Sequence, residues 1–145
     1  RKRYFFMSRL NFLEKKYIIL NILFITIIFL MIIKGFKNPF TYDEARTYLD
    51  YVKPKDIFKF AIANNHPLNT VLMIGATYIG NSPFILRLPN IILGLMYLAT
   101  SYRISKKFKN SLITFLILSL SPLLFEFFTL ARGYGLASCL IFLVQ

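Results

Sequence analysis

Acidic residues are what this chain has least of. Six Asp and Glu stand against eighteen Lys and Arg across 145 residues, a formal net charge of +12. Cysteine is nearly absent as well: Cys139 stands alone, which excludes an internal disulfide and says little about redox compartment. No internal repeat, linker or low-complexity tract breaks the sequence. What fills it is hydrocarbon, with 57% hydrophobic residues and a mean hydropathy of +0.58. Such a basic balance suits either nucleic acid or an anionic membrane surface. The cations gather at the edges of apolar runs long enough to cross a bilayer, and that favours the membrane and argues against nucleic acid.

The run "YIILNILFITIIFLMII", residues 17–33, carries no charge and is bracketed by Lys16 and Lys34. At 1.5 Å per residue it reaches about 25 Å, and both lysines can snorkel, so a first transmembrane helix is expected there. A signal peptide would share the basic head and apolar run, but no small-residue cleavage pattern follows Ile33. The preceding "RKRYFFMSRLNFLEKK" has six basic residues and one acid, which places it in the cytoplasm by the positive-inside rule. A start at Arg1 in place of Met leads us to expect further residues upstream. Residues 67–80 offer only about 21 Å of helix, short of the roughly 30 Å hydrocarbon core. An interfacial or re-entrant segment is expected there, which leaves the basic loop "RISKKFKN" cytoplasmic. Further spans are expected at 83–102, at 111–128 with a kink at Pro122, and from 135 onward. The fold class is therefore an all-α membrane protein, with an exoplasmic loop of juxtamembrane helices between the first and second spans. The chain reads as the N-terminal transmembrane region of a larger polytopic protein.

This topology gathers the unusual polar residues on one face. Three of the six acids, Asp43, Glu44 and Asp50, lie in "NPFTYDEARTYLDY". "TYDE" fits a capping box, with Thr41 capping the amide of residue 44 and Glu44 reaching back. Asp43, Arg46 and Asp50 stand three and four apart, so an ion-pair row along one helical face is available to them. Arg87 and Glu126 fall at membrane depth, where an ionisable group needs a partner, water or the interface; snorkelling is the simplest expectation. His66 precedes Pro67 at the start of the interfacial segment, where an imidazole can meet an anionic headgroup or phosphate. In "RGYG" a turn explains Gly133 and Gly135.

Taken in order, the set comprises an apolar span, "YDEA", "NNHPL", "GNSPFILRLPNIILGLMYL", a basic loop and "LSLSPLLFEFFTLARGYGLA". It resembles the N-terminal part of GT-C-fold glycosyltransferases, the group of the dolichyl-phosphate-mannose protein mannosyltransferases and the lipid A aminoarabinose transferase. The resemblance runs from about Tyr17 to the last residue; Asp43-Glu44, His66-Pro67 and Arg87-Leu88-Pro89 are its most specific part. It implies transfer of a sugar, with inversion, from a polyprenyl-phosphate carrier to a lipid, glycan or protein acceptor on the exoplasmic face of a bacterial inner membrane. It makes Asp43 the catalytic base or acceptor-orienting carboxylate, and Glu44, His66, Arg87, Arg132 and Tyr134 the substrate-binding set. No cofactor is called for with certainty, and a divalent metal is left open. One departure stands out: many relatives follow a pattern like R-x-Y-x-x-D, and here Ala137 takes the place of the acid. Glu126 is the substitute considered. The rival expectation is a non-catalytic transporter or lipid flippase whose outer charges line a path, which an inverted repeat in the remaining reading frame would favour.

Overall fold

The computed structural model describes residues 2–57 and 66–144, with side chains from residue 15 onward. Asn64 and Asn65 of the "NNHPL" element lie outside the described residues, as do the basic side chains at the start of the chain. Among the described residues seven α-helices follow in order: α1 Lys2–Lys37, α2 Tyr42–Thr47, α3 Pro67–Thr77, α4 Pro83–Ser105, α5 Ser111–Ser119, α6 Pro122–Thr129 and α7 Gly133–Leu143. A π-helical turn, Tyr48–Val52, continues α2, and no strand occurs among the described residues.

Among the described residues two helices are long and apolar enough to cross a membrane: the Lys15–Lys37 part of α1 and the whole of α4, 23 residues each. Each reaches about 34 Å, a little more than the hydrocarbon core. The pair α5 and α6 becomes a third if its 55° bend is counted within one span. The kink expected at Pro122 is thus a break. Proline has no N–H, so the Leu118 carbonyl four residues earlier loses its helical donor, and the Tyr97 hydroxyl of α4 donates to it instead at 2.9 Å.

Helix α4 is the axis of the bundle, packed against α1, α3, α5, α6 and α7. Its buried line steps from Arg87 through Asn90, Gly94, Tyr97 and Ser101 to Ser105, at helical spacings of three and four. It runs antiparallel to α1, which it meets at three heights. The Tyr102 hydroxyl bonds Asn21, Gly94 faces Met31, and Arg87 donates to the Gly35 carbonyl. A Cβ on Gly94 would lie 2.8 Å from both Met31 Sδ and Phe128 Cβ, so glycine is what lets α1, α4 and α6 meet there. In lipid, close approach through small residues does what the hydrophobic effect does in water.

The outward faces are apolar and some inward ones polar, the reverse of a water-soluble bundle. On α1, Ile22, Ile25 and Phe29 are exposed; α3 turns Asn69 and Thr70 inward and Leu68 and Val71 outward. The main core joins Leu20, Ile27, Met31, Leu98, Phe115, Phe128 and Cys139. A smaller one, of Val52, Met73, Ala76, Leu86 and Ala131, lies under α2 and α3 and carries the site described next.

Candidate functional site

The two adjacent acids of "TYDE" face different worlds. Thr41 is the N-cap of α2, and the capping box is complete: Thr41 Oγ1 accepts from the Glu44 amide while Glu44 Oε2 accepts from the Thr41 amide at 2.9 Å. That geometry turns Glu44 inward, where it is 0% exposed, and leaves Asp43 on the outer side.

Glu44 meets Arg87, itself 0% exposed, in a bidentate pair: Nε to Oε1 at 2.7 Å and Nη2 to Oε2 at 2.6 Å. The other three guanidinium N–H groups donate to the carbonyls of Gly35, Asn38 and Pro39. Gly35 lies in the last turn of α1 and Asn38 and Pro39 just follow it, and the Gly35 carbonyl lacks a helical donor because the residue four further on is Pro39. All five donors of Arg87 are therefore taken by protein acceptors. Glu44 is equally occupied, because Oε1 also accepts from the Ala131 amide at 2.7 Å. Burial alone would push its carboxyl pKa up; the Arg87 hydrogen bonds, the Ala131 and Thr41 amides and the Arg87 charge together outweigh this and hold it below the ordinary value. Arg87 and Glu44 were both expected to bind substrate. In this structure the hydrogen-bonding groups of both are taken up by protein partners, and Arg87 is buried and does not snorkel. Together they join the end of α1 to α2, α4 and the strand-like segment before α7.

That segment, Leu130–Arg132, is extended, with φ/ψ of −118°/150° at Leu130 and −128°/148° at Arg132. Without helical bonds of its own, it is held by side chains. Asn90 Nδ2 lies 2.7 Å from the Leu130 carbonyl and 3.0 Å from that of Arg132, and Asn69 Nδ2 donates to the Ala131 carbonyl at 3.0 Å. Asn90 also donates to Asn69 Oδ1. Neither asparagine stood out in the sequence. The available signal was an amide side chain within an apolar stretch of each helix.

The clamp sets Arg132 at the N-cap of α7, from which its Nη1 reaches Asp43 Oδ2 at 2.9 Å. Asp43 thus pairs with Arg132, and Arg46 is left to Asp50 at 3.4 Å. The Arg132 guanidinium lies over the Tyr134 ring at 5.2 Å, and Tyr134 meets the His66 ring edge-on at 4.8 Å and stacks on Phe127 at 4.9 Å. His66 is the N-cap of α3, and its Nε2 is buried with no hydrogen-bond partner among the described residues. Burial lowers the His66 pKa from its ordinary value, and the Arg132 charge lowers it further, so the ring is neutral at pH 7. Gly133 permits this approach, since a Cβ there would fall 2.5 Å from the His66 ring. Gly135 similarly lets α7 close on the Phe127 carbonyl. No glycine among the described residues has positive φ, so close contact replaces the turn as the reason for both.

Of the expected set, the structure brings Asp43, His66, Arg132 and Tyr134 together and places Glu44 and Arg87 in a buried pair with each other. Glu126, considered as a second acid, pairs with Lys34, whose ammonium also faces the Phe125 ring. No group of three or more His, Cys, Asp and Glu is placed to hold a metal ion among the described residues. The four clustered groups can do three things: take a proton at a partly exposed carboxylate, hold an anion at a guanidinium, and complete a hydrogen bond at a buried imidazole nitrogen. No family model, curated protein or solved structure matches the chain.

Proposed function

We propose that the cluster is the donor end of a glycosyltransferase site, which moves a sugar from a polyprenyl-phosphate carrier to an acceptor on the exoplasmic side of a bacterial inner membrane. The observation that carries this reading is the Asp43–Arg132 pair at 2.9 Å beside the unpartnered Nε2 of His66. A base and an anion holder in contact, next to an unused hydrogen-bonding atom, suit a reaction that deprotonates one partner and releases a phosphate from the other. When the donor enters, its phosphate competes with Asp43 for Arg132. Once released, Asp43 accepts the proton of the acceptor hydroxyl or amine as that group attacks the anomeric carbon. The carbon–oxygen bond to the carrier phosphate breaks, and the phosphate leaves onto Arg132 and the imidazole N–H of His66.

Two further features support the reading. An apolar groove of about 440 Å³ runs between α3 and α4, lined by residues including Leu72, Gly75, Ile79, Pro89 and Ile92. It is of hydrocarbon size and belongs to the helix that His66 caps. Helix α3, eleven residues and so about 16 Å long, is too short to span and suits an interfacial position between the first and second spans.

The test is transfer from a polyprenyl-phosphate-sugar donor by the complete reading frame. Asp43→Asn should retain donor binding and lose transfer by about two orders of magnitude or more, typical of a lost general base. Arg132→Gln should weaken donor use, and Arg132→Lys should restore only part, since lysine lacks the planar fork. Near-normal transfer by Asp43→Asn would remove the catalytic role and leave a charge-lined path in its place.

A further inference from the structure

The end of the bundle opposite the candidate site gathers positive charge that meets no acid among the described residues. Lys15 and Lys16 begin the apolar part of α1; Arg103, Lys106, Lys107 and Lys109 lie in the last turn of α4 and the loop after it. The antiparallel packing of α1 and α4 brings the two groups together. Lys16 Nζ donates to the Lys109 carbonyl at 2.6 Å, and the Lys106 ammonium lies 5.6 Å from the ring centre of Tyr17 and 4.5 Å from that of Tyr102. None of the six forms an ion pair with an acid among the described residues. Asp43, Glu44, Asp50 and Glu126 all have basic partners elsewhere.

We propose that this end is a seat for the phosphodiester headgroup of an anionic phospholipid. Charge complementarity is the first reason: six cations at the boundary of two membrane-length helices meet no acidic side chain among the described residues, and a headgroup phosphate lies at that depth. Pre-ordering is the second. Lys106 rests on tyrosines from two different helices and Lys16 is tied to a backbone carbonyl, so the phosphate meets cations already placed. Apolar exposure at the same spot is the third, and it favours lipid over a soluble anion. Phe108 is 54% exposed between Lys107 and Lys109, and Ile18 and Ile19, next to Tyr17, are 55% and 48% exposed, offering an acyl chain a wall below the phosphate. The seat is separate from the proposed transferase site and stands whichever way that reading turns out.

The experiment extracts the full chain from vesicles of equal phosphatidylglycerol and phosphatidylcholine and counts the retained lipid by native mass spectrometry. The wild-type chain should retain phosphatidylglycerol in about fivefold excess or more, falling towards parity in about 1 M salt. The triple variant Lys16→Gln, Lys106→Gln, Lys109→Gln should lose the preference, and Lys53→Gln with Lys55→Gln, beyond the other end of α1, should keep it. Equal retention of the two lipids by the wild-type chain overturns the proposal, as does a preference that the triple variant or high salt leaves intact. The salt series on the wild-type chain decides the matter even if the triple variant fails to fold.

Discussion

At the scale of single residues, the adjacent acids Asp43 and Glu44 separate what the fold requires from what is available for chemistry. Glu44 is fully buried with every acceptor position engaged, so removing its charge strands Arg87 among the carbonyls of Gly35, Asn38 and Pro39. Glu44→Gln and Arg87→Gln should each cost about 3–5 kcal/mol in stability, measured by unfolding in detergent. Asp43→Asn should cost less than about 1 kcal/mol, because the Asp43 and Arg132 side chains are 40% and 25% exposed. A loss as large for Asp43→Asn as for Glu44→Gln would make both acids structural. His66 gives a pH test. Its folded pKa lies below the ordinary 6.5, so it favours the folded state while neutral, and that contribution is lost as pH falls through the lowered value. The wild-type chain should therefore lose stability below about pH 6.5 in a component that His66→Gln abolishes. An identical acid profile in the variant would remove His66 from the account.

At the scale of elements, two proline breaks are mended by the same helix. Pro39 deprives the Gly35 carbonyl of its donor and Pro122 deprives that of Leu118; α4 supplies Arg87 to the first and Tyr97 to the second. Tyr97→Phe leaves a carbonyl orphaned in an apolar core, and should cost about 1–3 kcal/mol. Pro122→Ala returns an N–H four residues after Leu118, so the penalty of Tyr97→Phe should fall by more than half in that background. Strict additivity in a double-mutant cycle would mean that the hydroxyl is not standing in for the missing amide. The helices themselves were legible in the sequence, because long uncharged runs and their basic flanks depend only on local composition. So were the capping box, set by a three-residue spacing, and the gathering of Asp43 with Arg132, which follows from both lying at one end of the spans. The uses of Arg87, Asn69 and Asn90 were not. Their partners are largely backbone carbonyls 40 to 62 residues away, and a carbonyl leaves no mark on the residue type that bears it.

At the scale of the whole molecule, the antiparallel pairing of α1 and α4 puts Lys16 beside Lys109 and the Gly35 end of α1 beside Arg87. Whichever face is cytoplasmic, positions 16 and 107 must share it, and position 50 must lie on the other. Single-cysteine variants at these positions in a Cys139→Ala background, probed with an impermeant thiol reagent on intact cells, should give matching results at 16 and 107 and the opposite result at 50. By the positive-inside rule the unlabelled pair is 16 and 107. Disagreement between 16 and 107 would break the bundle apart, and with it the meeting of Asp43 and Arg132.

The Glu44 clamp also sets an order of assembly. Its carboxylate is made 43 residues before Arg87 and 87 residues before the Ala131 amide. At a synthesis rate of about 5–20 residues per second, Glu44 precedes its guanidinium by roughly 2–9 s and its last donor by roughly 4–17 s. Through that interval water must stand in for both, so the loop after α1 has to stay hydrated until α4 arrives. The tie between α1, α2 and α4 can then close as soon as α4 is inserted. The segment bearing Arg132 can join only afterwards, which makes the charge partner of Asp43, with Tyr134 two residues behind it, the last part of the cluster to be delivered.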